Sequence, residues 1–310
     1  MRWVTYSPGP GQAARVGVVH DGHVHGLPGD RRLLDLLALG PEEFAATGTA
    51  VLADPTEVVP QDAVTLSAPI PVPPSIRDFM AFENHAATSV EAIGQKLDPV
   101  WYEVPVFYFT NPAAVIAPSD PVAISPGSTA FDYEVEVAAV IGRPGSDISV
   151  AAAGDHIAGF LILCDWSARD IQAHEMSVGL GPAKGKDSAT TLGPWLVTAD
   201  ELAPDRRGNG YDRGMTATVN GTLYSSGNLA DLYWSFEEMI AYASRGTRLV
   251  PGDVIGSGTV GTGCILELSR VHGADRYPYL TAGDRVRIAV DGLGEIDTSI
   301  RPSAPVHPLR

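Results

Sequence analysis

Glu134 and Glu136 stand two residues apart in the run Phe131-Asp132-Tyr133-Glu134-Val135-Glu136-Val137. On a strand, this spacing turns both carboxylates to one face and the two valines to the other. Taken alone, the pattern also fits an amphipathic strand with a wet acidic face. The run continues into Ala-Ala-Val-Ile, apolar on both faces, so the strand is expected to enter a core. Two carboxylates side by side in that setting repel unless a cation or a proton neutralises them. A third acid, Asp165, closes the apolar run GFLILC just before the polar stretch WSARDIQ. The end of a buried strand is a frequent position for a ligating or catalytic group. The three acids make an oxygen-only donor set, which favours a hard divalent cation over zinc: Mg²⁺ first, with Mn²⁺ or Ca²⁺ as alternatives.

Other chemistry-like patterns read more simply as structure. His20, His23 and His25 alternate with valines across Asp21-Gly22, a pair suited to a type I′ turn, and so describe the solvent face of a hairpin. Gly256 to Gly261 matches the dinucleotide fingerprint G-x-G-x-x-G, which works only where the third glycine opens a helix. The residues that follow, TGCILELS, read as a strand, so a glycine-rich loop between strands is expected, with bare N–H groups suited to a carboxylate. Gly185-Lys186 resembles the end of a P-loop, but Leu180 replaces its first glycine and Asp187 its Ser/Thr. Cys164 lies in an apolar run and reads as a small buried residue.

These side chains need a scaffold. The chain has 310 residues, 45% of them hydrophobic and 19% charged, enough for a packed core in one large domain, or a large one with a small companion. Its net charge of −16 repels phosphate backbones, so no nucleic-acid partner is expected. Two cysteines suggest a reducing compartment. With no signal-peptide pattern and no apolar run near the roughly 18–20 residues of a membrane span, a cytoplasmic protein without membrane contact is expected. Gly 33 and Pro 25 exceed what a helix bundle tolerates, and short β-branched runs between turn signals indicate a mainly β architecture with a few helices. The stiff stretch APIPVPP places a boundary near residue 70, giving a small β-rich domain over 1–70 and a larger one over 71–310. RRLLDLLALG reads as a short helix ending at Gly40, and longer helices are expected near 79–94 and 229–244.

With these pieces assembled, the sequence resembles the fumarylacetoacetate hydrolase family. The matching segments are Asp78-Phe79 with His85 in RDFMAFENH, Glu134-x-Glu136 in DYEVEV, Asp165 to Gln172 in DWSARDIQ, Gly185-Lys186 to Trp195 in GKDSATTLGPW, and Glu267 in LELS. They follow the family's order over most of residues 75–270, while the first 70 residues resemble its small domain only loosely. The resemblance implies an α+β, mainly β protein whose catalytic domain is a mixed β-roll with a divalent metal at one mouth. It implies Asp78, Glu134, Glu136 and Asp165 as metal ligands, with Lys186 and Thr190 close by. Arg169, Gln172 and Lys186 correspond to donors that stabilise an oxyanion; Tyr108 and Thr259 correspond to substrate contacts, Thr259 through its backbone. His85, oriented by Glu267 from the LELS strand, corresponds to the water activator of the hydrolytic branch. Imidazole titrates near neutral pH, and a carboxylate on its far nitrogen fixes the tautomer. In a shorter branch of the family a glutamate stands three residues after the histidine; here that residue is Thr88.

Three positions depart from the family pattern: tyrosines are replaced by Met80 and Met176, and an arginine by Gly94. Each lost polar group removes hydrogen bonds worth roughly 1–3 kcal/mol when buried. Met80 and Met176 would then line a less polar acyl end, suited to a substrate with an uncharged distal group. The expected activity is metal-dependent hydrolysis of a C–C bond in a 1,3-dicarbonyl compound, an acylpyruvate or a fumarylacetoacetate-like molecule. The alternatives are a 2-oxo acid decarboxylase, hydratase or isomerase on the same metal site, and a binding protein that has lost activity. A homodimer is expected from the resemblance alone.

Overall fold

The computed structural model describes residues 1–9, 11–91 and 96–308. Gly94 and the end of the helix expected over 79–94 lie outside the described residues. Strand β1 (Arg2–Ser7) pairs with β2 (Arg15–His20), which turns into β3 (His23–Gly26). Asp21 and Gly22 have φ of 47° and 74°, the conformation that a primed hairpin turn requires. Helix α1 (Leu33–Leu37) ends before Gly40, and α2 (Pro41–Ala53) starts at once, with proline at its first position.

The larger part runs β4 (Ile76–Phe79), α3 (Glu83–Glu91), β5 (Phe107–Thr110), β6 (Val135–Ile141), β7 (Ile157–Asp165), α4 (Arg169–Met176) and β8 (Thr190–Thr198). It continues through β9 (Gly214–Val219), β10 (Thr222–Asn228), α5 (Phe236–Ala243), β11 (Val254–Gly256), α6 (Ile265–His272), β12 (Arg285–Val290) and β13 (Gly294–Arg301). One large sheet has the order β3-β2-β1-β8-β7-β6-β11-β4-β5, extended beyond β3 by the short strand Val58–Pro60. Most neighbours are antiparallel; β11 and β4 run parallel. A smaller sheet stacks β10-β9-β12-β13 and a short strand, Val122–Ala123. The fold is α+β and mainly β, as the punctuation by Gly and Pro predicts.

The large sheet is buried on both faces, which is why β6 and β7 read as continuous apolar runs. Val135, Val137, Ala139 and Ile141 of β6 face one core, with Phe160, Ile162, Met215, Ile288 and Phe236. Ala138 and Val140 face the other, with Leu161, Leu163, Leu192, Ile76 and Val254. That second core is closed by Trp3, Val18, Leu33, Leu37 and Phe44 from the N-terminal segment. Each such side chain contributes roughly 1.5–3 kcal/mol when fully buried. The N-terminal segment therefore roofs one half of a sheet face; the other half of that face carries the acids described below.

Three local expectations are corrected. The segment ILELS opens helix α6, with Cys264 just before it, and is not a strand. Ile265 and Leu268 bury one stripe of it, and Asp132 accepts hydrogen bonds from the first two amides, Ile265 N (2.8 Å) and Leu266 N (3.0 Å). The helix near 79–94 begins only at Glu83, because Phe79 remains in strand pairing with Phe107. The helix near 229–244 is likewise shorter, starting at Phe236 behind a capping box of Ser235 and Glu238.

Candidate active site and metal centre

Strand alternation assembles the acids. Glu136 shares a face of β6 with Ala138 and Val140, Asp165 shares a face of β7 with Leu161 and Leu163, and Asp78 shares a face of β4 with Ile76. Register then brings them close: Glu136 stands opposite Leu163, Asp165 opposite Thr190, and Asp78 opposite both Gly256 and Tyr108. A side chain at Gly256 would lie 2.5 Å from the Asp78 carboxylate, so only glycine leaves room for it. Glu134, just before β6, bridges to Cys264 and completes the group. All four carboxylates are buried.

Two buried cations offset part of this charge. Lys186 Nζ donates to Glu134 and to Asp165 (2.8 Å). Arg169 donates from Nε to Asp132 (2.8 Å), from Nη1 to the Gln172 carbonyl (3.3 Å), and pairs through Nη2 with Glu134 (2.8 Å). Burial alone would raise Glu134, but Lys186 and Arg169 outweigh it and hold this carboxyl below its usual range. The opposite holds for Asp78, which burial and the neighbouring Asp165 push up to about 7, and for Glu136, which burial, Asp78 and Glu134 push well up. Asp165 is also raised by burial, against the pull of Lys186.

The cluster thus carries more negative charge than its cations cover. Asp78 Oδ1, Glu136 Oε2 and Asp165 Oδ1 are buried without a hydrogen-bond partner, as is Thr190 Oγ1. Unpaired carboxylate oxygens from three strands of one sheet fit a hard divalent cation. The ligand set expected from the sequence is brought together, with Thr190 beside it. Tyr108, expected at the substrate, places its hydroxyl within reach of Asp78 (3.1 Å) and close to Asp165. Thr259, also expected at the substrate, donates its hydroxyl to Glu136 (3.2 Å).

Beside this cluster, His85 in the first turn of α3 is hydrogen-bonded through Nδ1 to Glu267 in the first turn of α6. Both side chains are buried. The second Glu267 oxygen accepts from the amide of Thr262. A carboxylate fixed at both oxygens holds the imidazole in one orientation, with Nε2 left to exchange a proton. From the solvent side, a cavity of about 430 Å³ lined by Phe109, Thr110, Asn111 and Pro182 reaches Lys186. Met80 is half-buried, whereas Met176 is exposed at the end of α4.

The sequence motifs assign no role to two positioning residues. Asp132 takes the two α6 amides, the Tyr133 amide (2.8 Å) and the Arg169 guanidinium, joining the element that bears Glu267 to the acid cluster. It also occupies the helix N-terminus that the glycine fingerprint would need for a phosphate. Glu175 accepts the amides of Lys184 (2.8 Å) and Gly185 (3.0 Å), fixing the turn that aims Lys186.

The chain resembles proteins of several named activities. It is 30% identical to the fumarylacetoacetase of Arabidopsis thaliana over 243 residues, covering 62% of this chain and 57% of that protein. It is 31% identical to the mitochondrial oxaloacetate tautomerase fahd2 of Xenopus laevis over 273 residues, covering 87% of this chain and 78% of that protein. A solved fumarylacetoacetate hydrolase from Exiguobacterium antarcticum shares the fold with a TM-score of 0.75 at 26% identity, over 97% of this chain and 99% of that one. The chain spans 57–64% of the length of several curated relatives it matches. Among the described residues, no helix is long and apolar enough to cross a membrane. The fumarylacetoacetate (FAA) hydrolase C-terminal family matches residues 75–301, a span that holds every acid of the cluster and both members of the His85–Glu267 pair, and the chain belongs to that family.

Proposed function

We propose that this chain hydrolyses a C–C bond in a 1,3-dicarbonyl compound of the acylpyruvate or fumarylacetoacetate type, using a divalent cation. The observation that carries this reading is the buried His85–Glu267 hydrogen bond beside the carboxylate cluster. A cation held by Asp78, Glu134, Glu136 and Asp165, Mg²⁺ by donor chemistry, would supply Lewis-acid polarisation of the dicarbonyl oxygens. His85 takes a proton from water at Nε2, and Glu267 stabilises the imidazolium that results. Lys186 has a third N–H beyond its two carboxylate bonds, and Gln172, whose carbonyl accepts from Arg169, has its amide N–H groups to donate toward an oxyanion. The half-buried Met80 supports a substrate whose distal group is uncharged.

A second reading on the same site, enolisation of a 2-oxo acid, is supported by the likeness to the Xenopus tautomerase. A substrate panel separates the two. Hydrolysis of acylpyruvates that collapses in His85→Ala supports the first reading. Turnover of oxaloacetate that survives His85→Ala, with no dicarbonyl cleavage in the unmodified protein, replaces it with the second.

A further inference from the structure

Cys264 is the residue immediately before α6, and the proposed chemistry does not use its thiol. It is fully buried, and one ligand atom from each of Cys264, His85 and Glu267 lies within 4.8 Å of the other two. Cys264 and Glu267 stand three residues apart at the start of α6 and His85 comes from α3; the trio differs in kind from the acid cluster: sulfur, nitrogen and oxygen instead of oxygen alone. Mixed thiolate, imidazole and carboxylate sets select zinc-like cations, whereas Mg²⁺ prefers oxygen. Bonds of about 2.0–2.3 Å in a tetrahedron put donors roughly 3.3–3.8 Å apart, so the trio closes with side-chain shifts of about 1 Å. A thiolate and a carboxylate together balance a 2+ ion, leaving a neutral buried complex, and the thiol proton leaves to solvent on binding.

We propose that His85, Cys264 and Glu267 form a second, inhibitory metal site for Zn²⁺-like cations. Occupation ties up the imidazole and carboxylate of the water-activating pair and holds that pair idle. The inhibitory half rests on the hydrolytic reading above; the binding half does not.

Cd²⁺ is the direct probe, because its thiolate complex has an ultraviolet charge-transfer band. Titration of the Mg²⁺-loaded protein should give the band at one equivalent. The band should persist in Cys164→Ser and in Glu134→Ala, which disrupts the acid cluster, and disappear in both Cys264→Ser and Cys264→Ala. His85→Ala should keep the thiol but weaken Cd²⁺ binding by about 10-fold or more. Absence of the band, or its loss with Cys164 instead, overturns the site, whether or not the protein hydrolyses dicarbonyls. In activity assays, Cys264→Ser should retain turnover and raise the Zn²⁺ concentration for half-inhibition by at least about 10-fold. Equal Zn²⁺ inhibition of both proteins, with a Cys264-dependent band, overturns the inhibitory half and assigns inhibition to the acid cluster.

Discussion

The acid cluster and the His85–Glu267 pair lie side by side but are held by different means. Asp78, Glu136 and Asp165 project from paired strands of one sheet, so ladder hydrogen bonds set the spacing of each oxygen. His85 and Glu267 sit in the first turns of two helices, and their meeting depends on how those helices dock. A sheet supplies fixed spacing to charges that repel; helix docking supplies one hydrogen bond with a defined direction. The Asp132 carboxylate joins the two regions, holding Arg169 on one side and α6 on the other.

The strongest break in this comparison removes a cluster acid. Glu134→Ala, Glu136→Ala and Asp165→Ala should each abolish activity and lower Mg²⁺ affinity by at least about 10²-fold, with the fold retained, because charge and ligand count fall together. Calorimetric titration and circular dichroism check this; unchanged affinity in any two variants removes the assignment. Next comes the pair. His85→Ala should lower kcat by about 10²–10⁴-fold and Glu267→Gln by less, with Mg²⁺ affinity kept in both. The double variant should be little worse than His85→Ala alone, since the two act as a unit. Additive losses would mean that they work separately.

The bridge should show both signatures at lower amplitude. Asp132→Asn keeps one acceptor oxygen but loses the charge, so an α6 amide or Arg169 is left underpaired, at a cost of about 1–3 kcal/mol in stability. Both Mg²⁺ affinity and kcat should fall, by about 10-fold each, in denaturation, calorimetric and kinetic assays. A drop in only one of them would show that Asp132 serves one region alone. The last effect is in pH and needs no substitution. Burial and Asp165 push Asp78 up to about 7, so below that pH cation binding must displace its proton. The Asp78 proton alone should make Mg²⁺ affinity rise by up to about tenfold per pH unit toward 7. Calorimetry in buffers of different ionisation heat reads the released proton directly.

This contrast also explains which features the sequence discloses. Alternation is local, so Glu134-x-Glu136 and the terminal Asp165 of GFLILC announce a shared face before any fold is known. Glu267 is found as a residue but assigned to a strand, because CILELS carries β-branched Ile265 and alternates Leu266 and Leu268 with Glu267 and Ser269. What decides for a helix is Asp132, distant in sequence, which satisfies the first amides of α6. The helix-forming residues Leu266, Glu267 and Leu268 were the available signal. Asp132 itself, two residues before Glu134, looks like one more acid of an acidic strand until its partners are known. The same interaction reshapes the dinucleotide argument: a helix does follow the glycine-rich loop, but a carboxylate already fills its N-terminus.

The parallel pairing of β4 with β11 has a consequence for how the protein comes to exist. Asp78 reaches its place only after Gly256 has emerged and the long intervening chain has closed on itself, the kind of non-local contact that slows folding. Until then Asp78 remains apart from Glu136 and Asp165, whose strands pair directly with each other, and its share of the repulsion does not oppose the early steps. That repulsion is met at the end of assembly, when the cation-binding geometry first exists. A divalent ion that binds only the finished sheet at 100 times its Kd adds about 2.7 kcal/mol to the native state alone. The metal supply of the surroundings would then set how many completed chains persist.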